Sequence, residues 1–125
     1  MISFSAIFLF LQLGAIVSPS GLRCVGRWPF GASYAVWVED TICYLGSGGG
    51  VYVLNVAHPT APKKLSEIET SGFVDGLCVS NNILYLAYNK GLKIIDVSDP
   101  TSPIEIGEYD TPGIACNVYC SGKYA

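Results

Sequence analysis

Residues 50–84 of this chain read again as residues 91–125, one for one and without a gap, at an offset of 41. The run Gly50-Val51-Tyr52-Val53-Leu54-Asn55-Val56-Ala57-His58-Pro59-Thr60-Ala61-Pro62 returns as Gly91-Leu92-Lys93-Ile94-Ile95-Asp96-Val97-Ser98-Asp99-Pro100-Thr101-Ser102-Pro103. Nine of the 35 pairs are identical, where average composition gives about two by chance. Many others are like for like, such as Val53/Ile94, Asn55/Asp96, Leu65/Ile106 and Glu69/Asp110. The offset also reaches backwards: Gly31, Val38, Ile42, Tyr44, Leu45 and Gly50 align with Gly72, Val79, Ile83, Tyr85, Leu86 and Gly91. Self-similarity at a fixed interval points to a row of like units, each too small to enclose a core without its neighbours.

Within a unit the hydrophobic period is 2, not 3.6. Phe73, Asp75, Leu77 and Val79 alternate with Val74, Gly76, Cys78 and Ser80, and the runs Ile83–Tyr88 and Leu92–Val97 are β-branched or aromatic and of strand length. Turn residues separate them at Ser80-Asn81-Asn82, Asn89-Lys90-Gly91, Ser98-Asp99-Pro100 and Asp110-Thr111-Pro112-Gly113. A fourth strand is expected over Ile104–Tyr109, and no stretch after residue 21 is long and amphipathic enough for a regular helix. Four short antiparallel strands every 41 residues match one blade of a β-propeller. The expected fold is therefore all-β: a propeller fragment whose residues 22–125 form about two and a half blades, cut within a strand at Lys123-Tyr124-Ala125. Such a piece should expose a raw blade face and an unfinished edge strand. Asp99-Pro100 and the later Pro103 are expected to close a turn. Gly72 and Gly113 are expected to lead into the next strand through a backbone conformation that side chains disfavour.

The run Gly91–Pro103, followed by Gly107-Glu108-Tyr109-Asp110-Thr111-Pro112-Gly113, resembles the LVIVD repeat. The resemblance covers roughly residues 22–125. It is strong in the third unit, good in the second, where Asn55 and His58 replace two aspartates, and weaker in the first. It implies a β-propeller, typically exported or at the cell surface, with no settled activity and no catalytic motif to carry over.

Half of the residues are hydrophobic and 14% are charged, with 14 glycines, a composition of compact, turn-rich β proteins. The net charge is −3, and the only basic cluster is Lys63-Lys64, which disfavours nucleic acid as a partner. No segment after residue 21 is long and apolar enough to form a transmembrane helix. The apolar stretch from Met1 to Val17, followed by Ser18-Pro19-Ser20-Gly21, reads as a secretory signal peptide over residues 1–20, although no Lys or Arg precedes Arg23. The competing reading makes this stretch the outer strand of a preceding blade. A signal peptide would place the protein outside the cell or on its surface.

The residues that could carry chemistry are few. Cys24, Cys43, Cys78, Cys116 and Cys120 occupy five different positions in the repeat, mostly matched by Leu, Ile, Val, Tyr or Trp elsewhere, so they read as small buried hydrophobes. Cys24 in particular takes the position of Leu65 and Ile106 and is expected to be packed. Cys116 and Cys120, four apart, would lie about 13 Å from each other along a strand. A Cys24–Cys43 bridge is conceivable, but no pairing is favoured, and the spacing required for a zinc site is absent. His58 replaces Asp99 in a turn. Asp96, Asp99 and Asp110 offer oxygens of the kind calcium takes, yet their counterparts Asn55, His58 and Glu69 fit turn geometry better. Ser47-Gly48-Gly49-Gly50 joins two strands and opens no helix, so it is no phosphate cradle. Trp28, Phe30, Tyr34 and Trp37 form an aromatic group, mainly core, with Trp28 and Phe30 candidates for a binding face.

Neither catalytic nor cofactor-binding nor metal-binding residues are assigned, and no cofactor is expected. The ends of the inner strands, Phe73-Val74-Asp75-Gly76 and Ile114-Ala115-Cys116-Asn117, offer only Asp75 and Asn117. The favoured expectation is a non-enzymatic scaffold that binds an unidentified protein or glycan. The alternative is a propeller-type hydrolase or lyase with its catalytic residues in other blades.

Overall fold

The computed structural model describes residues 23–26 and 32–125. Residues 1–20, Trp28 and Phe30 lie outside them. Eight strands follow in order: β1 (Ser33–Glu39), β2 (Ile42–Ser47), β3 (Gly50–Asn55), β4 (Lys63–Glu69), β5 (Val74–Ser80), β6 (Ile83–Tyr88), β7 (Gly91–Asp96) and β8 (Ile104–Asp110). They form two four-stranded antiparallel sheets, each with its strands in sequence order. The described residues contain no helix, and so none long and apolar enough to cross a membrane. Each strand of the second sheet starts and ends 41 residues after its counterpart in the first.

Local chemistry sets the hairpins. Asn81 and Asn82, at φ 54° and 61°, both occupy the left-handed region between β5 and β6. Two such residues make the turn whose twist matches that of the flanking strands, and asparagine tolerates the conformation better than most. Two-residue links also join β2 to β3 (Gly48-Gly49) and β6 to β7 (Asn89-Lys90). In the longer β7–β8 connection, Asp96 accepts from the amide and hydroxyl of Ser98 at 2.8 and 2.6 Å. Asp99 does the same with Thr101 at 2.9 and 2.6 Å. Asn55 accepts from the Ala57 amide at 2.9 Å in the equivalent turn. An acidic side chain is therefore used here as a turn-closing acceptor.

The departures from regular pairing recur as well. Register slips between Ser33 and Ala35 in β1 and between Val74 and Gly76 in β5, which leaves Tyr34 and Asp75 as the unpaired residues. A second slip leaves Leu65 extra in β4 and Ile106 extra in β8. Bulges bend a strand and re-aim one side chain, so both sheets share the same curvature devices.

The sheets meet through β1 and β2 on one side and β5 on the other. Tyr44, Val51 and Val53 of the first sheet share one buried cluster with Val74, Leu77, Val79, Leu84, Leu86, Tyr88, Ile95 and Val97. Ala35 and Trp37 pack against the cluster. A Cβ added to Gly46 would lie 2.9 Å from Val74 Cγ1 and 3.3 Å from Leu77 Cδ2, so glycine lets the sheets close. Each fully buried aliphatic side chain contributes about 1.5–3 kcal/mol; neither sheet has this burial alone. Because β5 has a neighbour on each face, Val74, Gly76, Leu77, Cys78 and Val79 are all buried. Segment 114–122 covers the second face: Asn117 abuts Gly76, and Gly122 O accepts from Ser80 Oγ at 2.7 Å and Asn81 Nδ2 at 3.1 Å.

Three sequence expectations need correction. Gly72 and Gly113 are not among the residues at positive φ. Gly72 matters for space instead, since a Cβ there would lie 2.7 Å from the Asn89 amide nitrogen, whereas Gly113 has open room. Positive φ occurs at Gly50 and Gly91, at 156° and 150°. Residues 114–120 pair with no strand and are not a strand themselves; only an isolated bridge, Ser121 to Tyr124, forms after them. Finally, Cys24 is exposed, with its thiol 3.1 Å from the Gly26 carbonyl. The packed-hydrophobe reading holds for Cys43 and Cys78, but Cys116 is exposed and Cys120 half-buried.

Candidate functional site

One end of the two sheets gathers the β2–β3 and β6–β7 turns and the connections that leave β4 and β8. Backbone bonds fasten each connection to its turn: Thr70 N donates to Gly49 O at 2.9 Å, and Thr111 N to Lys90 O at 3.0 Å. The threonine hydroxyls then donate forward, Thr70 to Gly72 O at 2.7 Å and Thr111 to Gly113 O. These bonds hold otherwise irregular backbone in a fixed path.

On the second sheet this end forms an open hollow of about 520 Å³, lined by Asn89, Lys90, Asp110, Thr111, Pro112, Gly113 and Ile114. It offers an amide, an ammonium, a carboxylate and a hydroxyl beside the Pro112 ring and the exposed Ile114 side chain. The first sheet presents a different surface at the same end. Phe73 lies near Gly48, whose added Cβ would sit 3.2 Å from its ring, and Tyr34 meets Phe73 edge-on with centroids 5.6 Å apart and planes at 79°. Both rings stay about half exposed, at 55% for Tyr34 and 48% for Phe73. Gly72, the residue before Phe73, lies against the Asn89 side chain, so the chain that carries the Phe73 ring passes the rim of the polar hollow.

Asp75 is the bulge residue of β5 and half-buried. Asn117 is exposed, and its Oδ1 accepts from the Val118 amide at 2.8 Å. The chain brings Gly76 and Asn117 side by side, which sets no acid and base groups against each other. Asp96, Asp99 and Asp110 are not assembled either. Asp96 pairs with Ile104 at one end of the β7–β8 ladder, and Asp110 with Gly91 at the other. Among the described residues, no group of three or more His, Cys, Asp or Glu side chains could hold a metal ion. His58 stands in the β3–β4 connection, where its carbonyl accepts from the Ala61 amide at 2.9 Å.

A polar network missed from the sequence lies on the outer part of the second sheet. Lys93 bridges Glu105 at 2.7 Å and Glu108 at 3.5 Å, and stands 5.7 Å from the Tyr88 ring centre. The Tyr88 hydroxyl donates to Glu108, which holds the phenol well above its ordinary range, at about 12, with burial adding to the effect. The same bond, with Lys93 nearby, keeps Glu108 below the usual carboxylate range. In the first sheet Lys64 takes the corresponding role, 2.9 Å from Glu67 and 5.6 Å from the Tyr52 ring centre. The signal available in the sequence was the repeated Glu67/Glu108 pair. The cation moves from β4 to β7 between the units, so no single repeated position announces it.

Comparison with known proteins found no match among curated proteins and none among solved structures. A family match covers residues 71–111, which contain β5–β8 and the links between them, and with them all but the last two residues of the run on which the sequence resemblance rested. Over that span the chain carries an LVIVD repeat.

Proposed function

We propose that the two sheets are blades of a β-propeller from an exported or cell-surface protein, which serves as a non-enzymatic scaffold binding a protein or glycan. The observation that carries the binding reading is the exposed Tyr34–Phe73 pair at the same end as the Asn89–Lys90 and Asp110–Ile114 hollow, joined to it through Gly72 beside Asn89. Flat exposed rings beside a few donors and acceptors suit a sugar face or a peptide backbone. No convergent acid–base set accompanies them among the described residues. The propeller reading is supported by like faces: Trp37 of the first sheet and Cys78 of the second occupy equivalent positions, and each packs toward the following unit. A leader at residues 1–20 and about two and a half blades over residues 22–125 belong to the same proposal.

The test is binding of the chain to arrayed glycans and immobilised peptides, with Phe73→Ala and Lys90→Ala as variants. Saturable binding that weakens about tenfold or more with Phe73→Ala supports the reading, since stacked aromatic anchors dominate such contacts. Binding indifferent to both changes places the site elsewhere. Turnover of a bound glycan would instead favour the hydrolase or lyase alternative.

A further inference from the structure

Segment 117–122 runs parallel to β5. Asn117 abuts Gly76 at one end, where a Cβ on Gly76 would lie 2.6 Å from Asn117 Cα, and Ser80 and Asn81 hold Gly122 at the other. Between these anchors Cys78 of β5 and Cys120 of the facing segment are neighbours, held on adjacent stretches of chain by the contacts at either end. Cys78 is buried, Cys120 is half-buried, and both are free thiols. The equivalent face-to-face position between the first two units is filled by Trp37 and Val79, a pair with no redox chemistry. We propose that Cys78 and Cys120 form an oxidation site, in which a disulfide made by exchange with a thiol-derived disulfide donor fastens segment 114–122 onto β5. The proposal is independent of ligand binding at the loop end.

The order of events follows from access. The Cys120 thiolate, the more exposed, attacks one sulfur of the donor; the donor S–S bond breaks and one donor thiolate leaves. Cys78 then loses its proton and attacks the Cys120 sulfur, displacing the second donor thiolate. Two cysteine sulfurs are oxidised, the donor gains two electrons, and its two thiolates take up the two protons released. Burial foremost, and then the neighbouring Cys120, push the Cys78 thiol up to about 12. Cys78 is therefore a poor first nucleophile, and it reacts only once a mixed disulfide sits beside it.

The test treats the whole chain with oxidised glutathione, blocks remaining thiols, and maps tryptic peptides by mass. Trypsin separates residues 65–90, which hold Cys78, from residues 94–123, which hold Cys116 and Cys120. The expected result is a linked 65–90/94–123 species, about 2 Da lighter than the sum of its reduced parts, released by dithiothreitol, retained in Cys116→Ser and lost in Cys120→Ser. The unaltered chain is decisive even if a variant folds poorly, because fragmentation locates the linked cysteine. Cys78 blocked as a free thiol throughout, glutathione stranded on Cys120, or a link through Cys116 would each overturn the proposal.

Discussion

Tyr88 has no exposed surface, yet its hydroxyl ends on a solvent-facing carboxylate, Glu108. The folded phenol keeps its proton to about 12, against an ordinary value of 10.0. In the window between, the unfolded chain binds fewer protons than the folded one, so stability falls as pH rises through it and is unaffected below it. The raised Lys93 contributes in the same direction. Tyr88→Phe should cost about 1 kcal/mol at neutral pH from the lost hydrogen bond. It should also flatten the alkaline loss of stability, as denaturant melts on either side of the tyrosine range would show. At the acid end Asp96 and Asp99 are held below the carboxylate range by bonds from Ser98 and Thr101, so their support is present above that range and lost as pH falls through it. Asp99→Asn, which keeps the acceptor as Asn55 does, should remove part of the acid sensitivity with little change at neutral pH, whereas Asp99→Ala should lower the melting midpoint at both. These turn roles were legible in the sequence because Asn55 and Asp96 share one slot and one geometry. The Tyr88 network was not, because it joins β6, β7 and β8 through register, which no local pattern encodes.

At the scale of the strand and its turns, glycine draws the sharpest distinctions. A Cβ on Gly50 would lie 2.1 Å from the Ile68 carbonyl oxygen, and one on Gly91 2.1 Å from that of Tyr109. Both contacts are with backbone of the paired strand, and both φ values lie where side chains are rare. Gly50→Ala or Gly91→Ala must therefore part β3 from β4 or β7 from β8, and should cost more than about 1 kcal/mol. Gly49→Ala meets nothing within 4 Å and should leave the melting midpoint almost unchanged, which makes a paired thermal-denaturation experiment decisive. The sequence placed the glycine turn and the limits of β5–β8 to within a residue, because alternation and turn residues are local signals, but it expected a strand after Gly113 where none forms. It mistook the need at Gly72, which is room for the Asn89 side chain, for a need of φ. It was silent on the bulges at Tyr34, Asp75, Leu65 and Ile106, since an extra residue shows only against its partner strand.

Between the sheets, equivalent residues have unequal fates. Leu77 and Val79 are 6% and 4% exposed, while Val36 and Val38, their counterparts 41 residues earlier, are 60% and 55% exposed. The side chains are alike and so are the strands; what differs is that β1 and β2 cover β5 on that face, whereas no described residue covers β1 in the same way. Stability should therefore follow position in the stack and not residue type. Leu77→Ala opens space inside the shared cluster and should cost about 2–5 kcal/mol, with Val79→Ala losing a smaller amount. Val36→Ala and Val38→Ala remove surface that water already reaches and should fall within about 0.5 kcal/mol of the parent. Chemical denaturation of the four variants measures this directly. If Val36→Ala destabilised as much as Leu77→Ala, the outer face of β1 would have to be covered in solution, and the exposure seen in the isolated chain would not describe it. Conversely, Val36→Lys should be tolerated where Leu77→Lys unfolds the chain, because a charge is costly only where its neighbours exclude water.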